Sequence, residues 1–362
     1  MNLNSIVHPT LLIHQERAIR NIRRMAEKAR RNRLRFRPHF KTHQSLAVAE
    51  WFQQEGVHQI TVSSVDMAHF FAVNGWRDIT IAFPVNLRAY RELDELASRI
   101  TLHLLVESRK TVEQLAKHLH HSAHLWIEID VGYGRSGIPW NRVDEIVQVA
   151  RAIKQLARLD FRGILTHAGH SYHARSRQQI LEIHRETLQR MQSVREALVR
   201  ENFRQVEISV GDTPTCSLAE QFPGVNEIRP GNFVFYDLMQ WQLGSCSETD
   251  IAVALATPVV AVYPERQQVV VHGGAVHFSK ESLSLPNQPP IFGLATFPTE
   301  TGWGTLRRDF YVQSLSQEHG IVHVPEELLP EIHIGDLLII VPVHSCLTVN
   351  LMRHQRGGLL II

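Results

Sequence analysis

Eight short runs rich in β-branched and aromatic residues recur between Leu34 and Ile228, separated by stretches with apolar residues every three to four positions. The runs are Leu34–Pro38, Gln59–Val62, Asp78–Ala82, Thr101–Val106, His124–Ile129, Phe161–Thr166, Gln205–Val210 and Val225–Ile228. The stretches between them, such as Val65–Val73, Leu87–Ala97, Val112–His118, Val143–Leu156 and Ser176–Arg200, have the spacing of amphipathic helices. Strand alternating with helix requires right-handed crossovers and a parallel sheet. Eight such units within about 200 residues match a closed (β/α)8 TIM barrel better than an open sheet.

Beyond Leu243 the texture changes to β-rich runs with turns: Ile251–Val262, Gln268–His272, Ile291–Leu294, Asp309–Leu315, Asp336–Val343 and Gly358–Ile362. The expected fold class is therefore α/β, with the barrel over residues 1–243 and an all-β C-terminal domain over residues 244–362. The short apolar stretch within Met1–His14 is free to pair with that second domain. Of the 362 residues 44% are hydrophobic and 20% charged, enough apolar surface to bury a core rather than stay disordered. A net charge of +2 creates no field for nucleic acid or a membrane surface, so the expected partner is a small molecule. No leader or membrane-length apolar run is present, which points to a cytoplasmic location. The three cysteines, Cys216, Cys246 and Cys346, are too few and too scattered for a disulfide framework.

Chemistry in such a barrel is built at the C-terminal ends of the strands. The first run ends in Arg37-Pro38-His39-Phe40-Lys41-Thr42-His43, and the fifth in Asp130-Val131-Gly132-Tyr133-Gly134-Arg135-Ser136-Gly137. The sixth ends in Thr166-His167-Ala168-Gly169-His170-Ser171-Tyr172-His173, the seventh in Gly211-Asp212-Thr213, and the eighth in Arg229-Pro230-Gly231-Asn232. Barrels often hold phosphate with the loops after the last two strands, and the Gly-Asp-Thr turn offers backbone N–H groups and a hydroxyl there. Lys41 at the same mouth is the residue type that forms a Schiff base with an aldehyde. Pyridoxal phosphate carries both groups. Taken singly, Gly211-Asp212-Thr213 reads as a helix cap, Lys41 as a surface lysine, Arg135 as a loop ion-pair partner and His167 as a core histidine. Their convergence on one end of successive strands favours the joint reading.

These motifs resemble those of pyridoxal-phosphate enzymes with an alanine-racemase-like barrel followed by a β domain, and within them the D-serine dehydratase and D-threonine aldolase branch. The resemblance implies that Lys41 bonds the cofactor, that Arg135 stands beside its phenolic oxygen, and that His167 lies against the pyridine ring. It further implies that Gly211, Thr213 and the backbone of Gly231 and Asn232 hold the phosphate, with Tyr172 among the cofactor contacts and Arg229 toward the pyridine nitrogen. Near the C-terminus, an extended Pro342–Asn350 would point His344 and Cys346 to one face, where both could bind one metal. A His-x-Cys alone more often means a buried thiol beside an unrelated histidine. The resemblance implies instead that His344 and Cys346 carry a divalent metal, and the imidazole–thiolate pair suits Zn²⁺. Asp212 departs from the pattern, since a carboxylate near a phosphate is unfavourable unless it caps the following helix. The run Gly273–Lys280 and the pair Glu318-His319 are also similar to the branch and have no assigned role.

The implied function is a lyase acting on a D-β-hydroxy-α-amino acid, most closely a D-serine dehydratase. An aldolase outcome, with His170 or His173 as the base for the β-hydroxyl, is the first alternative. A metal-independent racemase is the second; a non-catalytic cofactor carrier and a metal hydrolase without the cofactor are further ones. A homodimer is implied by the resemblance alone.

Overall fold

The computed structural model describes residues 5–285, 288–353 and 358–362. Two compact units make up the chain: Arg23–Gly231 forms one, and Met1–Ile22 together with Asn232–Ile362 forms the other.

The first unit is built on eight parallel strands: Arg35–Phe36, Gln59–Val62, Asp78–Pro84, Thr101–Val106, Ala123–Asp130, Leu159–Leu165, Glu207–Val210 and Glu227–Ile228. Neighbours pair in that order, and the eighth strand pairs with the first. Between the first and second strands the join is a single parallel bridge, His39 to Thr61. There the Thr61 N–H donates to Pro38 O at 2.9 Å and the Phe40 N–H to Thr61 O at 2.8 Å, so the sheet closes into the expected barrel. All eight strands begin within two residues of their expected starts. The first strand is shorter than its run of β-formers because Pro38, lacking an N–H, cannot extend the ladder.

The helices start where the sequence supplies caps. Ser45, Ser64, Ser108 and Ser176 each accept the N–H three residues ahead, at Val48, Met67, Thr111 and Gln179. Inside the barrel, Leu105, Trp126 and Leu165 form an apolar cluster, and the Trp126 indole N–H donates to His103 Nδ1 at 3.2 Å. A buried ionic chain lies in the same interior. Arg37 Nε donates to Glu227 Oε2 at 2.8 Å, and Glu227 Oε1 accepts the Ser209 hydroxyl at 2.8 Å.

The second unit is an eight-stranded, mostly antiparallel sheet in the order Gln268–His272, His319–His323, Tyr311–Leu315, Gly293–Thr296, Leu337–Pro342, Val253–Tyr263, Thr10–Ile13, Leu359–Ile361. The long strand Val253–Tyr263 also pairs with Gln268–His272 through a bulge, which closes the sheet. Thr10–Ile13 lies antiparallel to residues 253–256 and parallel to residues 359–361. Residues 1–4 of the N-terminal stretch are outside the described residues. The strand His319–His323 was not anticipated. It alternates buried and half-exposed positions, but its five residues carry two histidines and a glycine, too little apolar character to stand out.

One expectation is corrected here. Residues 345–350 are not extended: Ser345–Met352 is a helix whose buried positions Ser345, Thr348, Val349 and Met352 follow the i, i+3, i+4, i+7 stripe. The β-branched Thr348 and Val349 suggest a strand, and packing of the stripe overrides that preference. Among the described residues no helix is long and apolar enough to cross a membrane.

Candidate active site

Lys41 occupies the turn that follows the first barrel strand, half-buried, with its backbone N–H directed at His39 Nδ1 at 3.4 Å. Two imidazoles flank it electrostatically. His167 sits at the end of the sixth strand, and its Nδ1 donates to Gly211 O at 2.6 Å, which leaves Nε2 as the lone-pair nitrogen. Burial, then the Lys41 charge, brings His167 down to about 3. His39 is likewise held well below the ordinary histidine value by burial and by the charges of Lys41 and Arg229. Lys41, Arg135 and Arg229 thus act together on two histidines that stay neutral, and these cations suit an anionic ligand. His43 has a different role: it stacks on Phe52 at 5.6 Å, its Nδ1 accepts the Ser45 N–H at 3.1 Å, and burial brings it to about 3.

Arg135 is exposed on the loop after the fifth strand, 5.5 Å above the Tyr133 ring. The loop folds on Asp130, whose Oδ1 accepts the N–H groups of Gly132, Tyr133 and Gly134 at 2.9–3.0 Å. Gly132 and Gly134 have φ of +114° and +74°, values that glycine alone tolerates without strain, which explains the Gly-Tyr-Gly spacing. Arg229 is fully enclosed. Its Nε donates to Ser209 Oγ at 2.7 Å, its Nη2 contacts Thr166 O, and burial lowers it to about 10. The Ser209 hydroxyl passes on to Glu227, so the core ionic chain reaches Arg229.

Asp212 resolves its departure from the pattern. It is the N-cap of the short helix Thr213–Leu218, accepting the Thr215 N–H at 2.9 Å and hydroxyl at 2.7 Å and the Ser171 hydroxyl at 2.7 Å. Burial raises its pKa. Thr213 is buried, and its N–H donates to the Tyr172 hydroxyl at 3.3 Å. Gly211 and Gly231 answer to packing: a Cβ would lie 2.8 Å from Arg229 backbone in one case and 2.8 Å from His39 O in the other. Of the two candidate bases, His173 is exposed, whereas His170 is half-buried with no hydrogen-bond partner for Nδ1 among the described residues.

In the second unit His344 is the N-cap residue of the Ser345–Met352 helix, and Cys346 lies in its first turn. The side chains meet although the backbone is not extended. Burial would lower His344, but hydrogen bonds to Cys346 and Glu281 raise it to about 11. The Glu281 contact is His344 Nδ1 to Oε2 at 2.6 Å. Asp237 Oδ2 accepts the Ser345 N–H at 2.9 Å and hydroxyl at 3.1 Å. The Asn232 side-chain amide donates to Asp237 at 2.6 Å and to Ser345 Oγ at 2.9 Å, and lies 3.7 Å from Cys346 Sγ. An imidazole and a thiol with one ring nitrogen already fixed on a carboxylate form a donor set that fits a borderline-soft metal ion. Glu281 and Asp237 were missed in the sequence, since they lie 63 and 108 positions away along the chain from the residues they hold.

His272, His277 and Glu318 also come together, with ligand atoms within 4.8 Å of one another. His277 Nδ1 accepts the Gly274 N–H at 3.1 Å, so a neutral ring carries its proton on Nε2. That N–H lies 3.8 Å from Glu318 Oε2.

The description "Alanine racemase, N-terminal domain" matches residues 13–238, and "Putative serine dehydratase domain" matches residues 252–355. The chain belongs to the alanine racemase N-terminal domain family. Among curated members it is 26% identical to the D-serine dehydratase of Dictyostelium discoideum over 96% of this chain and 92% of that one. It is 28% identical to the D-threo-3-hydroxyaspartate dehydratase of Delftia sp., over 94% and 91%, and 24% identical to an Arthrobacter D-threonine aldolase, over 98% and 88%. The solved structure of the Delftia enzyme superposes with a TM-score of 0.89 at 26% identity, covering 96% of this chain and 93% of that one. Two further structures, described as D-threo-3-hydroxyaspartate dehydratase mutants, carry alanine in place of a histidine and of a cysteine two positions beyond it, the second described as a metal-free form.

Proposed function

We propose that this family member is a lyase that eliminates water from a D-β-hydroxy-α-amino acid, D-serine or a close analogue, using pyridoxal 5'-phosphate on Lys41 and zinc on His344 and Cys346. The observation that carries the reading is the His344–Cys346 pair with its carboxylate partner, because a racemase on the same barrel needs no metal. The names of the relatives support the same class, and the spacing of the two residues substituted in the D-threo-3-hydroxyaspartate dehydratase mutants equals that of His344 and Cys346.

When bound, pyridoxal phosphate supplies a conjugated ring that spreads negative charge from Cα. A bound zinc ion supplies a Lewis acid toward the β-hydroxyl. Lys41 Nζ would hold the aldehyde carbon of the cofactor and, as a free amine, would take the Cα proton of the substrate. Arg229, Arg135 and neutral His167 are assigned to the ring nitrogen, the phenolic oxygen and the ring face. Gly211, Thr213, Tyr172 and the backbone of Gly231 and Asn232 are assigned to the phosphate. Water leaves across Cα–Cβ, and hydrolysis of the product gives an oxo acid and ammonia. His173 or His170 would take the hydroxyl proton if the bond broken were Cα–Cβ instead. A homodimer in the cytoplasm belongs to this reading, and light scattering of the purified protein checks the dimer.

Product analysis with D-serine, D-threo-3-hydroxyaspartate and D-threonine, with and without a chelator, tests the proposal. Pyruvate from D-serine, lost on chelation and restored by zinc, is the expected result. Glycine and acetaldehyde from D-threonine would assign the aldolase reaction. Racemisation indifferent to the chelator would overturn the reading.

A further inference from the structure

Two ligating side chains at the start of a helix form a sparse metal site, and what aims them decides how tightly they hold. Resting on the metal reading above, we propose that Glu281 is a positioning residue that fixes the ring orientation and tautomer of His344 for metal binding.

The argument begins with proton count. An imidazole that ligates a metal is neutral and keeps one N–H, and the 2.6 Å contact from Nδ1 to Glu281 Oε2 is where that proton would stay. Nε2 is then the lone-pair nitrogen, the atom left to ligate. His277 shows the opposite case in the same unit: its Nδ1 accepts a backbone N–H, and its Nε2 is protonated. Two histidines near carboxylates are thus sorted by what each Nδ1 meets.

Glu281 is itself anchored. Its N–H donates to Ser279 Oγ at 3.2 Å, and Ser279 has a φ of +71° that turns the chain at this point. Just before the turn, Phe278 O accepts the Thr348 hydroxyl at 3.2 Å, and Thr348 lies on the helix that carries Cys346. The carboxylate, the histidine and the cysteine are therefore referenced to one rigid element. Asp237 and Asn232 grip that helix start separately through Ser345. The negative charge of Glu281 also raises the basicity of the ring, which strengthens a metal–nitrogen bond.

The test uses the full-length protein, stripped with a chelator and titrated with Zn²⁺ against a chromophoric competitor, with Co²⁺ absorption as a second readout. Glu281→Ala is expected to weaken Zn²⁺ binding about 10- to 100-fold, and Glu281→Gln less, because its amide oxygen still accepts the Nδ1–H. Thermal unfolding checks that each variant is folded; Glu281 is 41% exposed, so its replacement leaves no buried void. Should the alanine variant lose its fold, the glutamine variant decides alone. Equal Zn²⁺ affinity and unchanged Co²⁺ spectra in wild type and variants would overturn the positioning role while leaving the metal reading intact. Failure of the wild type to bind either ion would overturn both.

Discussion

At the scale of single residues, the most consequential side chain away from the barrel mouth is Glu227, fully buried between Arg37 and Ser209. Burial alone would raise its pKa, but Arg37, Arg35 and the Ser209 hydroxyl bring it down to about 2. Its folded pKa therefore lies below the ordinary glutamate value. The stability this provides is complete above the unfolded-state pKa, near 4.3, and drains away as pH falls from there toward 2. Acid unfolding of the wild type should fall steeply in that window, and the slope should flatten in Glu227→Gln; identical acid profiles would remove Glu227 from the account. Glu227→Ala leaves the buried Arg37 with Asp78 alone, 2.5 Å away, and should cost about 1.5–3 kcal/mol in denaturant unfolding. Since Ser209 links Glu227 to Arg229, Ser209→Ala would leave the Arg229 guanidinium held through Nη2 on Thr166 O, without its Nε partner.

Among the elements, the seventh-strand turn shows why a local rule read correctly can still conceal a role. Asp212 obeys the helix-cap preference, yet its carboxylate also takes the Ser171 hydroxyl from the loop after the sixth strand. Asp212→Ala should therefore cost more than Ser64→Ala, a cap with one bond, for which about 1 kcal/mol is expected. Equal losses by chemical denaturation would show the Ser171 bond to be without weight. The barrel strands were legible because each is a short run followed by a helical pattern, four of those helices beginning at a serine cap. The Lys41, Arg135 and His167 motifs were legible because a parallel barrel puts every strand's C-terminal end on one side. The partners Glu281 and Asp237 were not, since no periodicity links residues brought together by tertiary packing. The Ser345–Met352 helix failed for a third reason: its apolar stripe was present, but Thr348 and Val349 carry the local signature of a strand.

On the scale of the whole chain, the second unit depends on a segment from the opposite end of the sequence. Thr10–Ile13 lies between residues 253–256 and 359–361, and Leu11, Leu12 and Ile13 are 2%, 0% and 0% exposed. At about 1.5–3 kcal/mol for each large aliphatic side chain buried, with the higher end an upper bound, this strand contributes on the order of 5 kcal/mol to the unit. Loss of the strand would also expose the edge of Val253–Tyr263, with unpaired backbone groups ready to join another chain. A chain starting at His14 should consequently unfold at a lower temperature and aggregate, whereas one ending before Leu359 removes only a three-residue edge strand with half-exposed side chains and should be affected less. Leu12→Ala separates side-chain burial from strand pairing: it keeps the backbone ladder and should cost about 2–5 kcal/mol through the cavity it leaves. If the shortened chain melted like the full-length protein while Leu12→Ala did not, the dependence of the second unit on that segment would be refuted.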